Sequence, residues 1–334
     1  MKDCNCMKQD SRIFISGHGG LVGSALHRRL LKHGYTNLLV RSRVELDLLD
    51  KSAVEAFFQE ERPEFVFMAA AKVGGILANN RYPADFIRDN LAIQSHTIEA
   101  AYQSKVSRLL FLGSSCIYPK LAPQPMAESC LLTGALEPTN RPYAIAKIAG
   151  IEMCWSYNRQ YGTKYLAAMP TNLYGPGDNF DLQNSHVLPA LMRKAAEAKM
   201  RGAKQLEVWG SGTPRREFLY SDDLADACIF LMNLDSSPFD SLLKEDVPPL
   251  INIGTGEDVT IRELAILVCD TVGFKGELVF DATKPDGTPR KLMNVDCLHS
   301  LGWHHQTSLP AGIESTWRAV RNTLERSQSP QKVS

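Results

Sequence analysis

From residue 12 onward, short apolar runs alternate with longer stretches in which apolar residues recur at helical spacing. Short apolar runs, typical of buried strands, occur at 12–16, 37–40, 65–71, 109–112 and 165–169. Amphipathic stretches with helical spacing lie between them, at 21–33, 51–61, 84–103 and 143–160. Strands that alternate with helices predict an α/β fold, a doubly wound parallel sheet with helices on both faces.

The alternation stops after residue 169. The stretch 170–179 is rich in turn formers and predicts a hinge into a smaller C-terminal lobe. In that lobe we expect a helix at 187–200 with Ser185 as its N-cap, and further elements at 206–209, from Asp222 and at 260–271. The sequence thus predicts four parts. A loose tail at 1–11 precedes a sheet domain at 12–170, and a mainly substrate-binding lobe at 171–326, some of whose chain returns to the sheet domain, precedes a second loose tail at 327–334.

Charge and composition argue against several classes of protein. Lys plus Arg equals Asp plus Glu at 37 each, without a long basic run, so neither nucleic acid nor an anionic membrane surface is an expected partner. No apolar run approaches the roughly 18 residues that span a bilayer, and the first ten residues are too polar for a signal peptide. The eight cysteines are scattered, as expected of free thiols in the cytoplasm, and no metal site is predicted.

A glycine-rich turn follows the first predicted strand. Gly17, Gly20 and Gly23 are spaced three apart, and the first predicted helix begins among them. Glycines let the backbone approach a ligand closely, and the start of a helix offers free N–H groups, so this turn is typical of a diphosphate cradle. The sequence therefore predicts that 12–170 is a dinucleotide-binding domain of Rossmann type.

The second predicted strand ends in Arg41-Ser42-Arg43. A protein that binds NAD usually has an acid at this position to hold the ribose 2′-OH, whereas an arginine favours the 2′-phosphate of NADP. The alternative is that both arginines are ordinary solvated side chains. We expect NADP(H).

Tyr143 and Lys147 are four residues apart in a predicted helix, so they share one face. An ammonium near a phenol favours the phenolate, so we expect Lys147 to lower the pKa of Tyr143 and make it a general acid. By itself a Tyr-x-x-x-Lys spacing arises often by chance. Here it accompanies the glycine turn and a serine at the end of the fourth strand.

That serine is Ser114, which follows a buried strand and should lie beside Tyr143, because ligands bind at the carboxyl ends of parallel strands. Cys116 is two residues further on and would point to the same side if the backbone is extended. The residue pattern leaves open whether Cys116 belongs to the site or is simply a buried thiol.

With these residues in place, the chain resembles the extended short-chain dehydrogenase/reductases. Within that family it is similar to the GDP-sugar 3,5-epimerase/4-reductases over roughly residues 12 to 320. The resemblance is carried by the segments 70–76, 113–120, 143–150, 169–176, 184–187 and 284–291. It implies an enzyme that epimerises GDP-4-keto-6-deoxy-D-mannose at C3 and C5 and then reduces the C4 ketone with NADPH.

The resemblance also implies roles for individual residues. Tyr143 would protonate the C4 oxygen, with Lys147 tuning it and Ser114 bonded to the same oxygen. Cys116 and His186 would be the base and acid of epimerisation. The implied substrate contacts are Lys194, Trp209, Arg216 and Asp286. The implied cofactor contacts are Gly17, His18, Gly19, Gly20, Leu21, Val22, Gly23, Arg43, Asp47, Leu48, Leu112, Gly113, Ser114, Ser115, Lys147, Pro170, Thr171, Asn172, Leu173 and His186.

Two positions depart from the family pattern: Gly19 stands where an arginine is usual, and Tyr220 where a histidine is usual. Rival readings are a nucleotide-sugar 4,6-dehydratase or 4-epimerase on the same scaffold, and a dinucleotide sensor without catalysis. A homodimer is also expected. The surplus apolar residues of helices 84–103 and 143–160 fit either a dimer face or packing on the sheet.

Overall fold

The computed structural model describes residues 6–182, 185–284 and 286–326. Its strands are β1 Ile13–Ser16, β2 Leu38–Leu39, β3 Phe65–Met68, β4 Arg108–Leu112, β5 Tyr165–Pro170, β6 Asn172–Tyr174, β7 Gln205–Trp209, β8 Arg215–Arg216, β9 Phe218–Tyr220, β10 Leu250–Ile253, β11 Val259–Thr260, β12 Glu277–Asp281 and β13 Arg290–Lys291. Its helices are α1 Leu21–Lys32, α2 Lys51–Glu61, α3 Ile76–Arg81, α4 Pro83–Gln103, α5 Arg141–Tyr161, α6 Val187–Met200, α7 Ser221–Met232, α8 Ser236–Asp240, α9 Ile261–Val272, α10 Asp296–Ser300 and α11 Leu309–Arg326.

The main sheet has six parallel strands in the order β10-β5-β4-β3-β1-β2. Because successive side chains of a strand point to opposite faces, Phe14 packs with α2, α4 and α5, whereas its neighbours Ile13 and Ile15 pack with α1 and α7. Five of its six strands are buried along their whole length, as expected of a sheet covered on both faces. The Rossmann-type fold predicted from the alternation of strands and helices is confirmed.

Local signals account for several element boundaries. Asp50 caps α2 by accepting a hydrogen bond from the backbone N–H of Ala53, and a capping box of Thr260 and Glu263 starts α9. Gly162 ends α5 in the left-handed conformation. Such short-range rules explain why the predicted helices agree with the observed ones to within a few residues.

Some predicted features differ in the structure. Ser185 is not the N-cap of α6; His186 occupies that position and its side chain makes no capping hydrogen bond. Residues 6–11, expected to belong to a loose tail, are held by hydrogen bonds. The backbone N–H of Met7 donates to Asn233 at the end of α7, and that of Thr36 donates to the carbonyl oxygen of Gln9. Residues 1–5 and 327–334 of the expected tails lie outside the described residues.

A separate core lies in the C-terminal part of the chain. Helices α6, α9 and α11 pack there with strands β7 and β9. The chain does not stay in this part of the molecule, because β10 returns to the edge of the main sheet beside β5. Within the described ranges, every helix is too short or too polar to cross a bilayer.

Prediction of core stability. Phe58 is fully buried, and its ring meets that of Phe14 edge-on with centroids 5.7 Å apart. Phe58→Ala should lower the free energy of unfolding by about 3–5 kcal/mol, because the apolar transfer energy is lost and a cavity remains. The control is Leu121→Ala, which removes a side chain that is 87% exposed and should change stability by less than about 0.5 kcal/mol. Urea unfolding of both variants checks this; equal effects would contradict it.

Candidate active site

The turn between β1 and α1 has the geometry of an anion cradle. Gly17 adopts a φ of +74°, and a Cβ there would lie 2.8 Å from Cα of Ala70. A Cβ at Gly23 would collide with the carbonyl oxygen of Gly17, so the helix can approach the turn only because this position is glycine. Helix α1 begins after Gly20 without a side-chain cap, which leaves its first N–H groups available to an anion. A Cβ at Gly19 would meet nothing within 4 Å, so packing does not require glycine at this position.

The two arginines after β2 have different surroundings. The guanidinium of Arg41 forms an ion pair with Glu61 and lies over the ring of Phe57, 5.4 Å from its centroid. The side chain of Arg43 is 78% exposed and only loosely paired with Asp47, at 3.6 Å. Arg41 is thus already paired with an acid, whereas most of the Arg43 side chain is exposed, and Arg43 stays the predicted contact of a 2′-phosphate. Leu48 lies beside them, with its carbonyl bonded to a ring nitrogen of His96 at 3.1 Å.

The segment after β4 turns sharply. Ser114 is extended, but residues 115–117 form one turn of 3-10 helix, and the backbone N–H of Cys116 donates to Oγ of Ser114 at 3.4 Å. The prediction that an extended backbone aligns Ser114 with Cys116 is therefore wrong. The two side chains are neighbours nonetheless, because a hydrogen bond from Ser114 acts on the thiol of Cys116.

Helix α5 delivers Tyr143 and Lys147 to the same place. Pro142 lies in its first turn, and the two side chains follow on one face. Lys147 is only 4% exposed, and its Nζ donates to the carbonyl oxygen of Leu112 at 2.7 Å. The same ammonium lies 5.8 Å from the centroid of the Tyr143 ring, whose edge-on neighbour is Phe86.

Burial dominates the electrostatics of this pair. It raises the pKa of Tyr143 above its ordinary range, with a further increase from Cys116, and it lowers the pKa of Lys147 to about 8. The net shift of the Tyr143 pKa is upward, so the prediction of a lowered pKa is wrong. The phenol keeps its proton at neutral pH, which is the form that a proton donor needs.

Cys116 and His186 are also shifted from their ordinary behaviour. Burial raises the pKa of the Cys116 thiol, while the ammonium of Lys291, then Ser114 and Lys147, act in the opposite direction. Solvent reaches the side chain of His186, yet enough protein surrounds the ring that burial lowers its pKa, and Lys291 lowers it further. One cation, Lys291, thus acts on both side chains.

The predicted substrate contacts lie in the C-terminal part of the molecule. Trp209 is 59% exposed, and the Nζ of Lys194 lies 5.0 Å from the centroid of its indole. Asp286 accepts hydrogen bonds from the backbone N–H and hydroxyl of Ser211, at 2.9 and 2.7 Å, and its charge acts on Arg216. An aromatic face and cations therefore lie around one surface, a combination suited to a base and a diphosphate.

The remaining predicted contacts have described positions. His18 lies in the glycine turn, and Thr171 is buried at the end of β5, where its hydroxyl contacts the carbonyl oxygen of Glu217 at 3.4 Å. Tyr220, which departs from the family pattern, donates to or accepts from Ser315 at 3.1 Å. Among the described residues, no group of three or more His, Cys, Asp or Glu is arranged to hold a metal ion.

Sequence reasoning missed two residues of the site, Lys291 and Glu217. In the sequence, Lys291 is distinguished only as the last residue of the family-like segment 284–291. Glu217 is fully buried, and its carboxylate accepts three backbone N–H groups, from Thr255, Gly256 and Met293. In the sequence, Glu217 is only an acid between Arg216 and Phe218, and nothing in that setting distinguishes it from an acid on the surface. Asn184 and Pro285, which belong to two of the similar segments, lie outside the described residues.

Comparison with known proteins gives one consistent result. A model of the NAD dependent epimerase/dehydratase family matches residues 13–242. The chain is 60% identical over 317 residues to the GDP-L-fucose synthase of Escherichia coli (strain K12), which covers 94% of this chain and 98% of that protein.

Two solved structures are similar in both sequence and fold. A Campylobacter jejuni GDP-mannoheptose C4 reductase with NADP bound has a TM-score of 0.86 at 41% identity, over 94% of this chain and 99% of that one. A GDP-L-fucose synthetase from Naegleria fowleri, bound to NADP, has a TM-score of 0.87 at 28% identity, over 97% of each chain.

Proposed function

The chain belongs to the NAD dependent epimerase/dehydratase family, and we propose that it converts GDP-4-keto-6-deoxy-D-mannose to GDP-L-fucose. It epimerises C3 and C5 and reduces the C4 ketone, as the GDP-L-fucose synthases do. The observation that carries the proposal is the convergence of Ser114, Cys116, Tyr143 and Lys147 on one cleft. Reduction needs the serine, tyrosine and lysine, and epimerisation additionally needs a base.

The cofactor is NADP(H), and the residues of the cradle fit it. The glycine turn excludes side chains where a diphosphate would lie, and the start of α1 directs N–H groups toward it. Arg43 is free to meet a 2′-phosphate, since its guanidinium is mostly exposed. NADPH supplies the hydride for C4.

Tyr143 donates the proton to the C4 oxygen. Burial keeps the phenol protonated until the oxygen becomes basic, and Lys147 then stabilises the phenolate that remains. The hydrogen bond from Lys147 to the Leu112 carbonyl fixes the position of its ammonium. Ser114 completes the set of donors at the ketone oxygen.

Epimerisation uses the same oxygen site. Removal of a proton next to the ketone places negative charge on the oxygen, where Ser114 and Tyr143 stabilise it. Cys116 is the base and His186 returns protons from the opposite side. Gly17, His18, Leu21, Asp47 and Thr171 remain proposed cofactor contacts along with the others of their segments, and Lys194, Trp209, Arg216 and Asp286 remain proposed contacts of the GDP moiety.

The rival functions are not favoured. A 4,6-dehydratase needs an acidic pair after the serine, and this chain has Ser115 and Cys116 there. A sensor without catalysis has no need for a buried ammonium beside the phenol, because burying Lys147 has a substantial desolvation cost.

We further propose a homodimer in the cytoplasm. Ile145 on α5 is an exposed apolar residue, and Ile87 and Leu91 on the adjacent α4 are only half-buried, which supports a contact between copies at this helix pair. The described cysteines are all free thiols, which fits a reducing compartment.

Prediction of cofactor preference. The unmodified protein should use NADPH in preference to NADH, and Arg43→Asp should reduce or reverse that preference, because it replaces a cation at the 2′-phosphate with an anion. Arg41→Gln is the matched control and should retain the preference, since Arg41 is paired with Glu61. The measurement is kcat/KM for each cofactor. Equal values in the unmodified protein would contradict the assignment.

Prediction of the proton donor. With GDP-4-keto-6-deoxy-D-mannose and NADPH, the unmodified protein should oxidise NADPH and form GDP-L-fucose, identified by NMR of the sugar. Tyr143→Phe keeps the ring but removes the proton donor, so the reduction rate should fall roughly 10²–10⁴-fold. NADPH binding should change little. A variant that reduces the ketone at a near-normal rate would show that another group is the acid.

Prediction of the epimerisation base. In D₂O without NADPH, the unmodified protein should introduce deuterium at both C3 and C5. In Cys116→Ser the alcohol is barely ionised at neutral pH, so exchange should collapse while slow reduction to an unepimerised 6-deoxy sugar continues. His186→Asn should give incomplete epimerisation. Normal exchange in Cys116→Ser would mean that Cys116 is only a packed thiol.

A further inference from the structure

Strand β13, which carries Lys291, is held from the C-terminal side of the cleft. It pairs in parallel with β8, where Lys291 is opposite Arg216. The backbone N–H of Glu217 approaches the carbonyl oxygen of Lys291 at 3.4 Å, and the carboxylate of Glu217 accepts the N–H of Met293 at 2.9 Å. The two bonds bracket Leu292, so the position of this short strand is determined by a buried carboxylate.

The same segment is held from the sheet side. The N–H of Leu292 donates to the side chain of Gln124 at 2.8 Å, and its carbonyl accepts the N–H of Met126 at 2.8 Å. Gln124 and Met126 belong to the loop that begins at Ser114 and Cys116. A strand fixed to both sides of the cleft therefore presents Lys291 at the catalytic loop.

The half-buried side chain of Lys291 lies among charged and titratable groups. Its charge acts on Cys116 and on His186. Burial lowers the pKa of Lys291, Cys116 acts in the opposite direction by favouring the ammonium, and Arg216 lowers the pKa further. The other cation acting on Cys116 is Lys147, whose Nζ is already bonded to a backbone carbonyl. Within the described part of the chain, the ammonium of Lys291 forms no ion pair and no side-chain hydrogen bond.

The proposed reaction requires such a group. A buried thiol is a poor base, since burial disfavours the thiolate, and an ammonium at close range is the usual way to offset this. We propose that Lys291 is a positioning residue for epimerisation, held by β13 against Cys116, where its charge stabilises the thiolate that removes the substrate proton. This proposal rests on the proposed function, which identifies that proton as one beside the substrate ketone.

The proton transfers balance at each carbon, and exchange with solvent water returns the proton from the thiol to the imidazole before the second carbon reacts. The thiolate of Cys116 takes a proton from the carbon beside the ketone, and the electron pair of the broken C–H bond forms an enolate stabilised by Ser114 and Tyr143. Protonated His186 then gives its proton to the opposite face, and a new C–H bond forms. Lys291 assists both transfers, because it favours the thiolate and disfavours the imidazolium.

The first test measures the thiol directly and needs no substrate. Alkylation of Cys116 by iodoacetamide, followed by mass spectrometry of its peptide, is recorded against pH in the unmodified protein, Lys291→Met and Lys291→Arg. We expect alkylation of Lys291→Met to fall roughly tenfold at pH 8 and its profile to move to higher pH. Lys291→Arg should resemble the unmodified protein. Lys275→Met removes an exposed charge and serves as the control.

The second measurement is deuterium exchange at C3 and C5 without NADPH. Lys291→Met should exchange roughly tenfold more slowly at neutral pH, with partial recovery as the pH rises. NADPH binding verifies that each variant is folded, and Lys291→Gln replaces Lys291→Met if the latter does not fold.

An unchanged alkylation profile in the neutral variant overturns the proposal, even if exchange is slowed, because Lys291 would then act on the substrate and not through Cys116. If the unmodified protein exchanges no deuterium, the proposed function fails. In that case the alkylation profile alone still decides whether Lys291 stabilises the thiolate.

Discussion

The hydrogen bond from the Lys147 ammonium to the carbonyl oxygen of Leu112 is the contact on which the catalytic cleft depends. It joins helix α5 to the end of strand β4 at 2.7 Å, inside a region that solvent scarcely reaches. A buried ammonium without such a partner would cost several kcal/mol, so the bond fixes the depth at which α5 lies on the sheet. Gly150, one turn further along, permits that depth because a Cβ there would collide with Phe111.

From this contact follow the properties of the residues nearby. Lys147 cannot approach Tyr143 more closely while it bonds to the backbone, so burial governs the phenol and keeps it protonated. The same burial opposes ionisation of Cys116. The cleft therefore holds Tyr143 as a protonated donor and Cys116 as a thiol whose pKa burial raises. The cations around Cys116 act in the opposite direction and lower the pKa of the thiol.

The second half of the cleft is organised by Glu217. Its carboxylate accepts N–H groups from the loop after β10 and from the segment after β13, which are separated by about forty residues. Burial raises the pKa of this carboxyl, whereas the backbone N–H groups favour the ionised form. A carboxylate bonded to both segments thus holds strand β13 beside the catalytic loop, at some electrostatic cost.

The amino-acid sequence by itself determined the features that depend on short-range spacing. The alternating runs predicted the parallel sheet and its helices, Gly17 to Gly23 predicted the cradle, and Tyr143 with Lys147 predicted a shared face, because backbone periodicity and helix geometry act over a few residues. Resemblance to a family added Cys116 and His186, which spacing alone could not distinguish from a buried thiol and a loop histidine.

Only the tertiary structure decided the features that depend on distant neighbours. The pKa of Tyr143 rises and does not fall, since burial outweighs a cation four residues away. Arg41 is neutralised by Glu61, twenty residues on, and β10 closes the edge of the sheet from residue 250. The charge of Lys291 acts on Cys116 across 175 positions of sequence. Desolvation and ion pairing depend on which groups the fold brings together, and no local pattern records that.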